Sequence, residues 1–193
     1  MSAQAAATTV PAIESDLEVL GRHLAGDERA FAELYRRFGG LVFNLAWRLS
    51  GDREEAADLT QEVFLRLFRH LPRFRGDSAL RTWVYRVALN HCRSRWARRR
   101  LATVPLASCA EIEVRASRED GPERQTLLVE EHRRLAAALA ALPRRFRVAV
   151  VLRDVQGLAY DEIAEVLALP AGTVRSRIAR GRERLRRLLV EEP

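Results

Sequence analysis

The chain has 193 residues, of which 48% are apolar and 31% charged, and its formal net charge is +7. That apolar share supports packed cores and excludes a wholly disordered protein, while the basic surplus favours a polyanionic partner or an acidic protein surface. No apolar run approaches the roughly 20 residues needed to span a bilayer, so no membrane insertion is expected.

Residues 1–14 read as a disordered tail. The stretch from Met1 to Pro11 lacks the cationic region and apolar core of a secretory signal, which points to a cytoplasmic protein. From Ser15 the pattern turns helical, with Leu17, Leu20 and Leu24 sharing a face and Gly26 closing the helix. Asp27 is placed to cap a second helix, whose stripe is Phe31, Leu34, Tyr35 and Phe38. Gly39-Gly40 is expected to break or bend that run before Val42, Leu45, Ala46 and Leu49 resume it. Gly51-Asp52 then gives a stop followed by a new cap.

A third helix is expected over 53–71. Ala56, Leu59, Val63, Leu67 and Leu71 form its core stripe, and Asp58, Gln61, Glu62, Leu65 and Arg66 lie largely elsewhere on the wheel. Acid early and base late suits the helix dipole without any partner. Exposed Leu65 and Phe68 beside those acids also suit a protein-binding face, and the pattern leaves both readings open.

Pro72 to Asp77 has turn chemistry, and Asp77 or Ser78 can cap a helix from Ala79 to about Arg100. Leu80, Trp83, Val84, Val87 and Ala88 point to its core, and Arg81, Arg86, Arg93, Arg95, Arg98, Arg99 and Arg100 cover the remaining surface. Tyr85 and Trp96 stand among those arginines. Cations interleaved with aromatics suit single-stranded nucleic acid, where bases stack and phosphates pair, although Trp83 reads best as the largest core residue. Asn90 is the uncharged amide here that could meet a base edge. Periodicity then lapses over 101–126, where Thr, Ser, Pro and Gly recur with a mild excess of acid. This stretch reads as a flexible linker.

Beyond the linker, Leu127 to Leu142 is an alanine- and leucine-rich helix ended by Pro143, and Phe146, Val150 and Val151 begin another that ends near Gly157. The stretch from Leu158 to Leu189 has helix-turn-helix spacing, with Ile163, Ala164 and Leu167 on one helix and Val174, Ile178, Leu185 and Leu188 on the next. Leu169 sits at the bend and Pro170 can open the second helix. Ala168 stands where many such turns place glycine, and a turn that needs no positive φ is expected. The second helix sets Arg175, Arg177, Arg180, Arg182, Arg184, Arg186 and Arg187 against the single acid Glu183. A merely solvated helix usually mixes signs. A helix entering a major groove needs cations for phosphates and forked guanidiniums for guanine edges.

The fold class is therefore all-α, with two small helical domains on a linker and no strands. Catalysis has no support: there is no phosphate-cradling loop, no nucleophile beside a base and no paired carboxylates in a cleft. Cys92 and Cys109 form no CxxC and have no histidine at ligand spacing, so they read as buried or idle thiols. Neither a metal nor another cofactor is expected.

Three ordered stretches carry a resemblance. Asp58-Leu-Thr-Gln-Glu62-Val-Phe-Leu, Phe74-Arg-Gly-Asp77-Ser-Ala-Leu-Arg-Thr-Trp83-Val-Tyr-Arg-Val-Ala-Leu-Asn90 and Gly172-Thr-Val-Arg-Ser-Arg-Ile178 resemble successive signatures of the extracytoplasmic-function (ECF) group of bacterial sigma factors. The resemblance runs from about Ser15 to Leu189. It implies sigma domain 2 over 15–100 and sigma domain 4 over 127–190, working with core RNA polymerase at promoter DNA. It places Asp58, Gln61, Glu62 and Leu65 on the β′ clamp helices, with the β subunit as a further contact. It assigns Phe74, Arg86, Asn90 and Arg93 to the −10 element, where a flipped base is captured at a cost of a few kcal/mol in lost stacking. Thr173, Arg175, Ser176, Arg177 and Arg180 fall to the −35 element, and an anti-sigma factor is an implied partner. Ala179 stands where some relatives carry a bulky aromatic, so their −35 preference does not transfer. Two rivals compete with this reading: a dimeric DNA-binding regulator with an N-terminal sensor, and a protein-binding module such as an anti-sigma factor. The first lacks any ligand-pocket signature, and the helix-turn-helix speaks against the second.

Overall fold

The computed structural model describes residues 14–101 and 122–190, without the side chains of 99–101, 122–129 and His132. The expected N-terminal tail up to residue 13, most of the linker and Cys109 lie outside the described residues. All regular structure among them is helical: α1 (Asp16–Leu24), α2 (Glu28–Ser50), α3 (Arg53–His70), α4 (Leu80–Leu101), α5 (Pro122–Ala141), α6 (Arg144–Val150), α7 (Tyr160–Leu167) and α8 (Ala171–Val190). A 3-10 turn, Leu71–Arg73, follows α3, and a π-helical turn, Val151–Val155, prolongs α6.

The sequence's punctuation works locally. Ser15 and Glu18 form a capping box on α1, and the Asp27 and Asp52 carboxylates accept from Arg29 N–H and Glu55 N–H at 2.9 Å. Gly51 closes α2 in the left-handed region at φ 79°. The expected break at Gly39-Gly40 does not occur, and α2 runs through both residues. Neither glycine adopts a positive φ. Gly39 is buried beside the Tyr35 ring, so burial against α3 and α1 outweighs the propensity cost of two glycines, which is about 1 kcal/mol each.

α1 is rotated from its expected face. Val19 and Leu20 are buried while Leu17 and Leu24 are at least half exposed, a turn of roughly 90° at 3.6 residues per turn. α3 buries the expected Ala56, Leu59, Val63 and Leu67, with Thr60 and Phe64 beside them. On α4, Leu80, Val84, Ala88, Leu89 and Cys92 enter the core, and Trp83 and Val87 pack at its edge.

The two halves share one apolar cluster, from Val19 through Leu89 to Ile178. Its polar seam is built mainly by α4 against the end of the π-turn and α7. Tyr85 donates to Gln156 Oε1 at 2.7 Å, and Arg81 donates to the Gln156 carbonyl at 2.8 Å. Thr82 donates to Glu162 at 3.3 Å, and Arg86 pairs with Glu165 at 3.3 Å. On the other side, Arg147 donates to the Leu49 carbonyl at 2.9 Å and also to those of Ala140 and Leu142. One guanidinium thereby satisfies orphan carbonyls at the C-termini of both α2 and α5. Arg144 stacks 4.1 Å above the Trp96 ring.

Candidate nucleic-acid and polymerase interfaces

On α3 the exposed side chains Asp58, Gln61 and Leu65 line up toward solvent, Leu65 being 62% exposed and Phe68 52%. Glu62 differs from them. Its Oε2 lies 2.6 Å from His91 Nε2, and its Oε1 accepts from Arg95, so both oxygens are held by α4. Burial alone would raise its pKa, but His91 and Arg95 together hold the carboxyl below the usual glutamate range. The expected free polarity of Glu62 is thus largely an internal bond.

Phe74 leaves the 3-10 turn in extended conformation and meets Trp83 edge to face, with centroids 5.5 Å apart. Asn90 is exposed on α4, and Ser94 donates to its carbonyl at 2.9 Å. Tyr85 and Trp96 take no part in this surface: they are 1% and 5% exposed, so neither can stack on a base. Interleaving in sequence misled because arginines and aromatics alternate around the helix, not along one face. Arg86 is engaged by Glu165. Arg93 is half-buried and held below its usual pKa, first by that burial and then by the charge of Arg177 on α8.

The turn between α7 and α8 corrects a second expectation. Ala168 has φ 52° and ψ 52°, the left-handed conformation that glycine usually fills. Leu169 N–H donates to the Ala164 carbonyl at 3.0 Å, and Thr173 and Val174 N–H donate to the Pro170 carbonyl. Pro170 therefore precedes α8 by one residue. Val174, Ile178 and Gly181 bury the inner face of α8. A Cβ at Gly181 would stand 2.5 Å from Val150 Cγ2 and 3.4 Å from the Phe146 Cβ and carbonyl oxygen, so this glycine sets the approach of α8 to α6. Sequence reading passed over it, and an isolated glycine inside a helical pattern was the available signal.

The arginines of α8 divide by partner: Arg184 lies 4.9 Å over the Phe146 ring, and the other six either pair with a carboxylate or do not. Arg182 binds Asp154, and Arg186 and Arg187 share Glu183. Arg175, Arg177 and Arg180 have no carboxylate partner among the described residues; Arg175 lies 5.9 Å over the Tyr160 ring. With Thr173 and Ser176 they occupy the first three turns, where a recognition helix meets base edges. Among the described residues no group of three His, Cys, Asp or Glu could hold a metal, and no helix is long and apolar enough to cross a membrane. Cys92 is buried, and desolvation pushes its thiol up to about 12, which leaves it unreactive at neutral pH.

Two family models match the chain, sigma-70 region 2 over residues 34–102 and sigma-70 region 4 over 132–185. The RNA polymerase sigma-H factor of Pseudomonas aeruginosa is 37% identical over 182 residues, covering 91% of this chain and 94% of that one. The chain belongs to the ECF group of the sigma-70 family. The ECF sigma factor SigM of Mycobacterium tuberculosis is 38% identical, covering 91% of this chain and 85% of its own. The ECF sigma-E factor of Escherichia coli is 36% identical, covering 88% and 91%. Among solved structures, CnrH in complex with the cytosolic domain of CnrY aligns with a TM-score of 0.69 at 25% identity, covering 93% of this chain and all of that one. The sigma factor RpoE of Bartonella quintana, solved with the anti-sigma factor NepR, shares the fold, with a TM-score of 0.68 at 22% identity over 84% of this chain and 98% of that one. As an ECF sigma factor, the chain binds core RNA polymerase and directs promoter-specific initiation through −10 and −35 elements.

Proposed function

We propose that α3 seats this sigma factor on the β′ clamp helices of core polymerase through Asp58, Gln61, Glu62 and Leu65, with the β subunit holding the second half. Phe74 and Asn90, helped by Arg86 and Arg93, take the displaced base of the −10 element. Thr173, Arg175, Ser176, Arg177 and Arg180 read the −35 element in the major groove. Domain 2 spans 15–100, domain 4 spans 127–190, and 101–126 joins them. The protein performs no catalysis of its own, acts in the cytoplasm and is restrained by an anti-sigma factor, the class of partner seen on the Bartonella quintana sigma factor.

The observation that carries this reading is the division of arginines on α8. Arg175, Arg177 and Arg180 have no carboxylate partner among the described residues, which leaves their charge for a polyanion, and they fall in the first three turns of α8, where a recognition helix meets DNA. In reconstituted holoenzyme, Arg175→Ala should cost about 1–3 kcal/mol at matched −35 sites if its guanidinium forks onto a guanine. Asn90→Ala should slow strand opening without loss of core binding. An equal penalty for Arg175→Ala on scrambled −35 sequences would make it a phosphate contact. Unchanged opening by Asn90→Ala on every −10 variant would remove the base-capture assignment.

A further inference from the structure

His91 is a buried polar group on the face of α4 opposite the seam, and nothing in promoter reading as set out above uses it. Its ring is 4% exposed, so it touches neither DNA nor polymerase directly. Nε2 lies 2.6 Å from Glu62 Oε2, while Nδ1 is buried without a partner among the described residues. Glu62 is flanked on α3 by Gln61, one turn after Asp58 and just before Leu65, and His91 follows Asn90 directly on α4. The bond therefore ties the helix that seats on polymerase to the helix that presents the −10 amide.

We propose that His91, acting through Glu62, is a positioning residue that sets the rotation and axial position of α4 relative to α3, so that Asn90 is aligned with the displaced base when α3 is seated. The apolar contacts between α3 and α4 set their packing, and the Glu62–His91 bond adds direction to it. Leucine, valine and alanine surfaces tolerate small slides, whereas a short hydrogen bond to a carboxylate is directional. Arg95, one turn beyond His91, holds the other Glu62 oxygen and keeps the carboxylate facing α4. The inference rests on the −10 reading of Asn90 given above.

The test replaces His91 by Leu, which keeps volume and removes the bond, and by Gln, whose amide Nε2 can restore it. Core binding is followed by fluorescence anisotropy, and opening by 2-aminopurine fluorescence at the −10 element, on duplex and on pre-melted templates. His91→Leu should bind core polymerase within about twofold of the parent and open duplex promoter at least tenfold more slowly. It should regain parental activity on pre-melted DNA, and His91→Gln should recover most of the duplex rate. Circular dichroism of each free variant identifies any that do not fold. Should His91→Leu be misfolded, the Gln and Asn substitutions decide, since Asn is too short to reach Glu62 and must behave as the broken bond. Opening by His91→Leu or His91→Asn at the parental rate, or the same loss in His91→Gln as in His91→Leu, would overturn the proposal. If Asn90→Ala opens promoters normally as well, the −10 reading itself falls. If Asn90→Ala is slow while the His91 variants are not, only the positioning role is lost.

Discussion

Ala168 is the one described non-glycine residue with a positive φ. An L-residue in that region costs roughly 1–2 kcal/mol, partly offset in glycine by about 0.5–1 kcal/mol of extra unfolded-chain entropy. Ala168 is exposed, so Ala168→Gly should gain about 0.5–1 kcal/mol and raise Tm by about 2 °C in calorimetry. A lowered Tm would show that the turn is relaxed with alanine. Glu62 gives a pH-dependent counterpart. Its folded carboxyl titrates below the ordinary range, so its contribution is fully present above the unfolded value and is lost as pH falls through the folded one. In urea melts, the advantage of the parent over Glu62→Gln should hold near neutrality and shrink on the acid side of the usual glutamate range. An advantage unchanged into that range would mean the His91 and Arg95 contacts do not stabilise the carboxylate.

At the scale of elements, the first three helices were legible because they carry their own period and their own caps: Ser15, Asp27 and Gly51-Asp52 mark ends that need no tertiary knowledge. What could not be read depends on partners distant in sequence. Gly39-Gly40 carries a breaker signal, yet burial decides it. Tyr85 and Trp96 lie among arginines in the sequence, yet they face Gln156 and Arg144 across the molecule. Leu17 and Leu24 share a face that α2 does not cover. Of the residues proposed for promoter and polymerase contact, the exposure of Asp58, Gln61, Arg175 and Arg180 was legible in the pattern of a single helix. The internal engagement of Glu62 and Arg86 was not, since each partner lies on another helix. Gly181 makes the same point with a measurable consequence. The short, branched Val150 side chain cannot swing clear of a new methyl group, so Gly181→Ala should destabilise by about 1–3 kcal/mol despite alanine's better helix propensity. A urea midpoint at or above the parental value would contradict that approach of α8 to α6.

For the whole molecule, the seam holds the two surfaces proposed to read the promoter on one body. Arg86 is bonded to Glu165, and the charge of Arg177 disfavours that of half-buried Arg93. Like charges brought together cost energy that a nucleic-acid backbone would relieve. Two elements well separated along a promoter need the halves apart, so weak DNA binding by the free chain and strong binding in holoenzyme are expected. The most direct measurement mixes the purified chain with sigma-free core RNA polymerase and maps transcription start sites on templates carrying matched or scrambled −10 and −35 elements. New starts should appear only with the chain present and only where both elements are intact, with little protection of duplex DNA by the chain alone. A chain that neither co-elutes with core polymerase nor redirects initiation would contradict the account.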